Sequence, residues 1–154
     1  MLAKCYSGAI SGVDARTVEI EVYIQIGTSQ FAIVGLPDTA VKEAKDRIPK
    51  ALKSQGLAPK KEYDVTVNLA PADVKKEGPI YDLPIAVCLL KATGAVKNNR
   101  LDEYGMIGEL ALSGEVRRVR GILPMVIEMR RIGMRAVLCR RATSRRRASC
   151  REST

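Results

Sequence analysis

Residues 75–86 read KKEGPIYDLPIA: two lysines and a glutamate, a Gly-Pro step, and an apolar run broken by one aspartate. A Gly-Pro step entering a buried helix can hold a nucleophile rigidly, so the first question is which atom would attack. Few groups are available. Asp82 could act as a general base, yet an aspartate opening an apolar helix serves far more often as its cap. Asp73 and Glu77 stand four apart with Lys75 and Lys76 between them, the pattern of solvated charge in a loop or first turn. Glu109 and Glu115 flank a Ser113-Gly114 turn and are expected to point outward. Histidine is absent from the whole chain, which removes Ser-His-Asp and Cys-His catalysis and every histidine metal site.

Other chemistries find little support. The chain contains no G-x-x-x-x-G-K-[ST] phosphate loop, and Gly8, Gly12, Gly27 and Gly35 read as turns. Cys5, Cys88, Cys139 and Cys150 are far apart and form no C-x-x-C, so they read as buried thiols in a reducing cytoplasm. Met125, Met129 and Met134 recur at near-helical spacing and read as core filler. The net charge of +9 is unevenly placed: residues 139–154 carry six arginines and one glutamate, more than half of the excess. The remainder is only mildly basic. Within it Lys75, Lys76, Arg117, Arg118 and Arg120 are the candidates for contact with a DNA backbone, with no aromatic residue interleaved for stacking.

The elements that must position these groups follow from periodicity. TVEIEVYIQI (17–26) alternates strictly and predicts a strand with Val18, Ile20, Val22, Ile24 and Ile26 on its buried face. FAIVGL (31–36) follows a Gly27 turn and is expected to pair with it antiparallel. Residues 2–10 suggest a further strand. Asp38 should cap a helix over about 38–55, kinked or stopped near Ile48 by Pro49. YDVTVNL (63–69) alternates again, and residues 83–90 form a helix apolar almost all round, hence buried. Strands are expected at 104–112 and 116–119, a helix at about 121–132 ending at Gly133, and a last strand at 135–139. The order predicts an α+β or α/β fold with a mixed sheet and packed helices. No run is long enough to span a membrane, and the first residues do not read as a signal peptide.

Five motifs then stand in order: GLPD (35–38), VNLAPAD (67–73), KEGPIYDLPIA (76–86), GELALSG (108–114) and GILP (121–124). Together they resemble the N-terminal domain of the magnesium-chelatase-like AAA+ ATPases, the family that includes the ComM competence proteins, over roughly residues 1–138. That domain is in turn similar to the proteolytic domain of Lon, within the superfamily named for domain 2 of ribosomal protein S-five. Lon proteases carry a Lys-Asp-Gly-Pro-Ser run whose serine attacks the peptide and a later lysine that activates it. KEGP (76–79) keeps that frame, but the serine's place falls on Ile80 and the lysine's on Leu123. Isoleucine has no lone pair with which to attack, and leucine cannot take a proton.

The resemblance implies a cytoplasmic, non-catalytic accessory domain that binds no cofactor itself. ATP and magnesium would belong to an AAA+ domain absent from this chain, which reads as a fragment of a longer protein. Its partners would be that AAA+ domain, like subunits in a hexameric ring and DNA, with no membrane involved. A stand-alone nucleic-acid-binding module and a cryptic Lon-like peptidase are the alternatives. Residues 139–154, CRRATSRRRASCREST, depart from the family pattern: the vocabulary resembles out-of-frame translation of a GC-rich gene, with a genuine basic extension or a divergent native segment as the other readings.

Overall fold

The computed structural model describes residues 1–140; the basic tail lies almost wholly outside them. Two long strands, β1 (Leu2–Ser11) and β2 (Asp14–Ile26), form an antiparallel hairpin at the centre. Further along the chain come β3 (Phe31–Val34), β4 (Tyr63–Ala70), β5 (Tyr104–Met106), β6 (Glu109–Leu110), β7 (Val116–Arg117) and β8 (Ala136–Leu138). Six of them make a mixed sheet in the order β3-β4-β2-β1-β5-β8, while β6 and β7 form a separate two-stranded ribbon. The helices are α1 (Thr39–Lys42), α2 (Ala44–Ser54), α3 (Asp82–Ala92) and α4 (Leu123–Arg131).

The alternation read in β2 is real. Val18, Ile20, Val22 and Ile24 are buried, and only Ile26, at the strand end, escapes to 73% exposure. Cys5 of β1 lies on that same face, where its thiol donates to the Pro84 carbonyl of α3 at 3.3 Å. Burial, and then the neighbouring Cys88 thiol, push the Cys5 thiol well up. Cys139, expected to be buried with them, is exposed. On the opposite face Gly105 pairs with Tyr6, and a Cβ on Gly105 would lie 2.1 Å from Met129 Sδ. The missing side chain is what lets α4 settle on the sheet, with Met125 and Met129 buried as its core stripe.

Four expectations are corrected. β3 does not pair with β2: it runs parallel to β4, from Phe31↔Val65 to Val34↔Asn68. Both edges of β2 are already taken, by β1 and by β4 from Glu19↔Ala70 to Ile26↔Tyr63. The connection is held open by Asp64, whose Oδ1 accepts from the Thr28 and Gln30 amides at 2.9 and 3.0 Å, carrying the chain past β4. The first helix is broken at Glu43 and continues through Pro49 to Ser54; the discontinuity falls two residues before the Lys45 carbonyl that Pro49 leaves without a donor. The strand expected at 104–112 divides at Ile107-Gly108, because Gly108 N–H donates to the Ile80 carbonyl at 2.9 Å and Ile107 N–H to the Leu138 carbonyl at 3.0 Å. The ribbon strand expected at 116–119 is only Val116–Arg117.

Candidate functional site

The first and third motifs meet. Lys76 N–H donates to the Leu36 carbonyl at 3.1 Å, and Asp38 N–H donates to the Lys76 carbonyl at 3.0 Å. Asp38 then spends both carboxylate oxygens: Oδ1 caps α1 through Val41 N–H at 2.8 Å, and Oδ2 accepts from Gly78 N–H at 3.0 Å. Gly35 has no alternative at its place, since its φ is +104° and a Cβ would sit 2.0 Å from the Leu69 carbonyl oxygen. Leu36 follows at φ 56°, a left-handed conformation that a bulky residue adopts only when its surroundings impose it. GLPD and KEGP are therefore one clasp, and its business is to aim the turn at Pro79–Tyr81.

Beside that turn lies a cleft of about 610 Å³, bounded by the β1–β2 hairpin tip, Ile80, Tyr81 and the Gly121–Pro124 segment. Ile80 is buried at its edge and presents a hydrocarbon to it. Leu123 is 66% exposed and faces a different depression, along Asp14, Arg16 and Ile127. The structure thus brings Ile80 near the GILP motif without bringing Leu123 to Ile80. Tyr81 is buried behind the cleft and donates to the Gly8 carbonyl at 2.9 Å; burial, and then the Asp38 and Glu77 charges, push its phenol far up, so it acts as a neutral strut.

Asp82 is not a cap. The residue before α3 is Tyr81, and the Asp82 carboxylate instead receives Arg47 from α2, Nε to Oδ2 at 2.8 Å and Nη2 to Oδ1 at 2.9 Å. Oδ2 also accepts from Leu110 N–H of β6 at 3.1 Å. One buried carboxylate therefore ties α2, α3 and the ribbon, and its two oxygens are committed to donors. Three donors thus occupy three of its roughly four lone-pair sites, and the side chain is 1% exposed.

The five basic candidates separate. Lys75 and Arg120 line the Ile80 cleft together with Glu77. Arg117 and Arg118 lie on the ribbon with Glu109 and Glu115. Glu115 is exposed as expected, pairing with Arg140, which holds its carboxyl below the usual range. Lys76 is fully buried, its ammonium donating to the Pro71 carbonyl, and loss of hydration lowers its pKa against the raising effect of Asp73. It has no surface to offer a phosphate. Sequence reasoning also missed a cluster: Phe31, Tyr63, Lys45, Lys60 and Lys61 come together at one corner. The available signal was PKKEY (59–63), two lysines and a tyrosine opening β4.

A mixed sheet, helices on both faces and a Gly-Pro turn before the buried helix define the class: a Lon-like α+β domain. In keeping with that, the chain is 24% identical over 136 residues to Lon protease 1 of Bacillus subtilis, covering 84% of this chain and 17% of that protein. Residues 20–142 match the family described as subunit ChlI of Mg-chelatase, and the chain belongs to that family. It is 42% identical over 140 residues to YifB of Escherichia coli K12, described as uncharacterized, covering 90% of this chain and 27% of the relative. It is 45% identical over 127 residues to the competence protein ComM of Haemophilus influenzae, covering 82% of this chain and 25% of the relative. The chain thus spans about a quarter of the length of these relatives. Among the described residues no helix is long and apolar enough to cross a membrane.

Proposed function

We propose that this chain is a non-catalytic accessory domain of a magnesium-chelatase-like AAA+ ATPase, one whose full-length form is a hexameric, ATP-driven motor acting on DNA in recombination or transformation. The observation that carries the reading is the clasp: Asp38, Gly78 and Lys76 hold the turn of a Lon-like site in place while the reacting position is Ile80. A frame kept without its nucleophile suits packing or gating against the ATPase ring rather than hydrolysis. ATP and magnesium would be held by the ATPase domain, since this chain has no phosphate loop. The competence role in the name of the Haemophilus relative supports the choice of DNA as the motor's track.

Two measurements test it. The purified chain should release no product from a fluorogenic peptide, and Ile80→Ser with Leu123→Lys should stay inert because position 123 faces away from the cleft. Peptide cleavage by the unaltered chain would replace the reading with that of a peptidase. In a full-length protein carrying both domains, removing residues 1–138 should uncouple ATP hydrolysis from DNA or disperse the ring. Unchanged DNA-stimulated ATPase and unchanged assembly would remove the accessory role.

A further inference from the structure

The helix side of the sheet ends in a second cavity, about 340 Å³ in volume, whose lining shares no residue with the five family motifs. Phe31 is the register partner of Val65, and Tyr63 stands two residues before it, so all three side chains project to the same face. Leu52, Val65 and Leu89 form a buried floor, and Phe31 and Tyr63 are half-buried rings packed against it. Lys45 from α2 and Lys60 and Lys61 from the loop before β4 line the rim and are exposed. The Asp64 carboxylate fixes the Thr28–Gln30 turn that leads into Phe31. The rings and lysines therefore stand on a braced frame.

Charge converges on the same corner. Lys45, Lys60 and Lys61 share the rim with one exposed carboxylate, Glu62; over residues 42–62 six lysines stand against Glu43, Asp46 and Glu62, and Arg47 in their midst is committed to Asp82. Among the described residues none of those six ammonium groups lies within ion-pairing distance of a carboxylate. Unneutralised lysines favour a polyanion, whose bound counterions they release. Half-exposed rings over an apolar floor favour a flat heterocycle, because stacking accepts any base. An acidic peptide would satisfy the lysines but would set carboxylates against the rings, and a duplex would keep its bases out of reach. Each site carries one glutamate in its lining, but the Ile80 cleft offers only two basic side chains, Lys75 and Arg120, and no exposed ring.

We propose that the Phe31–Tyr63 corner binds single-stranded nucleic acid, seating a base on the rings and its flanking phosphates on Lys45, Lys60 and Lys61. The inference deepens the DNA-directed reading above and rests on it for the class of polymer.

The test is anisotropy of a labelled oligothymidylate with the full chain across a salt series, with thermal melting by circular dichroism for each variant. Neutralising the rim (Lys45→Gln, Lys60→Gln, Lys61→Gln) should lower affinity and reduce the salt slope by about 2, at ~0.7 per phosphate contact on a single strand. Phe31→Leu or Tyr63→Leu should each weaken binding about tenfold with the salt slope unchanged, since a stacked base rather than a phosphate is lost. Tyr63→Phe keeps the ring and should bind as the unaltered chain does, which separates lost stacking from a disturbed fold. Photocrosslinking with an iodouracil-bearing strand should label peptides containing Phe31 or Tyr63. Crosslinks confined to residues 139–154, with affinity indifferent to the rim variants, would overturn the corner and leave the DNA-directed reading standing. Equal displacement by polyglutamate, or a free mononucleotide binding as tightly as the strand, would also overturn it. Failure of the full-length protein to act on any DNA would instead remove the broader reading.

Discussion

The cleft beside Ile80 and the corner beneath Phe31 and Tyr63 are built on opposite plans. Around Ile80 the backbone is specified closely: Asp38 commits both carboxylate oxygens, Gly35 admits no side chain, and Asp82 locks three elements together. Yet the side chain presented there is a hydrocarbon. At the corner no motif is recognisable, and three segments separated in sequence bring rings and lysines to one cavity. The difference teaches that a precise motif can record how a turn is held rather than what it does. Chemistry can meanwhile collect where only ordinary residues are found.

The comparison breaks most visibly at Asp82. Asp82→Ala would strand Arg47 beside a buried α2–α3 contact and leave the Leu110 amide without its acceptor. Loss of one partner of a buried pair should cost roughly 3–5 kcal/mol in urea unfolding. Glu103→Ala, which frees the exposed Arg100 and Arg135, should cost at most about 1 kcal/mol and serves as the control. If both variants unfold at the same urea concentration as the parent, the three-element tie is not what holds the cleft.

Asp38→Ala comes next. It removes the α1 cap and the Gly78 acceptor at once, and about 2 kcal/mol of stability should go with it. Hydrogen exchange should rise first at Val41 and Gly78, the two amides that lose their acceptor. Exchange rising evenly over the sheet instead would mean that the clasp is not local to the Ile80 turn.

The smallest effect lies at the corner and depends on pH. Backbone amides of Gln30, then Thr28, hold the Asp64 carboxyl below its usual range. The folded state therefore binds fewer protons here than the unfolded chain, so the contribution is present above the ordinary carboxylate pKa and is lost as pH falls through the depressed one. Asp64→Asn should destabilise slightly at neutral pH, and the gap to the parent should close on acidification. A gap that stays constant down to the acid limb would show that the Asp64 charge plays no part in bracing the Thr28–Gln30 turn.

Much of this domain was legible as periodicity. Strict alternation in residues 17–26 and 63–69, the all-apolar run after Asp82 and the Asp38 cap all depend on local rules of pleat, helix face and orphan amides, and each appears where those rules put it. The five motifs were legible as a resemblance, and family membership stands with them. The pairing of β3 with β4 was not, because it depends on which strand edges remain free once β2 has taken two neighbours. Nor was the role of Asp82, since a carboxylate at the first turn of a helix looks the same whether an amide or a distant guanidinium reaches it.

By itself the sequence determined most of the strands and helices, and the absence of histidine and of a phosphate loop from this chain. Only the tertiary structure decided that Lys76 is buried, that Leu123 turns away from Ile80, and that Phe31, Tyr63 and three lysines share a cavity. The reason is physical. Periodicity and capping act over a few residues, whereas burial, desolvation and convergence depend on which segments the sheet order sets side by side, and that order follows from the competition of all strands for the same hydrogen-bonding edges.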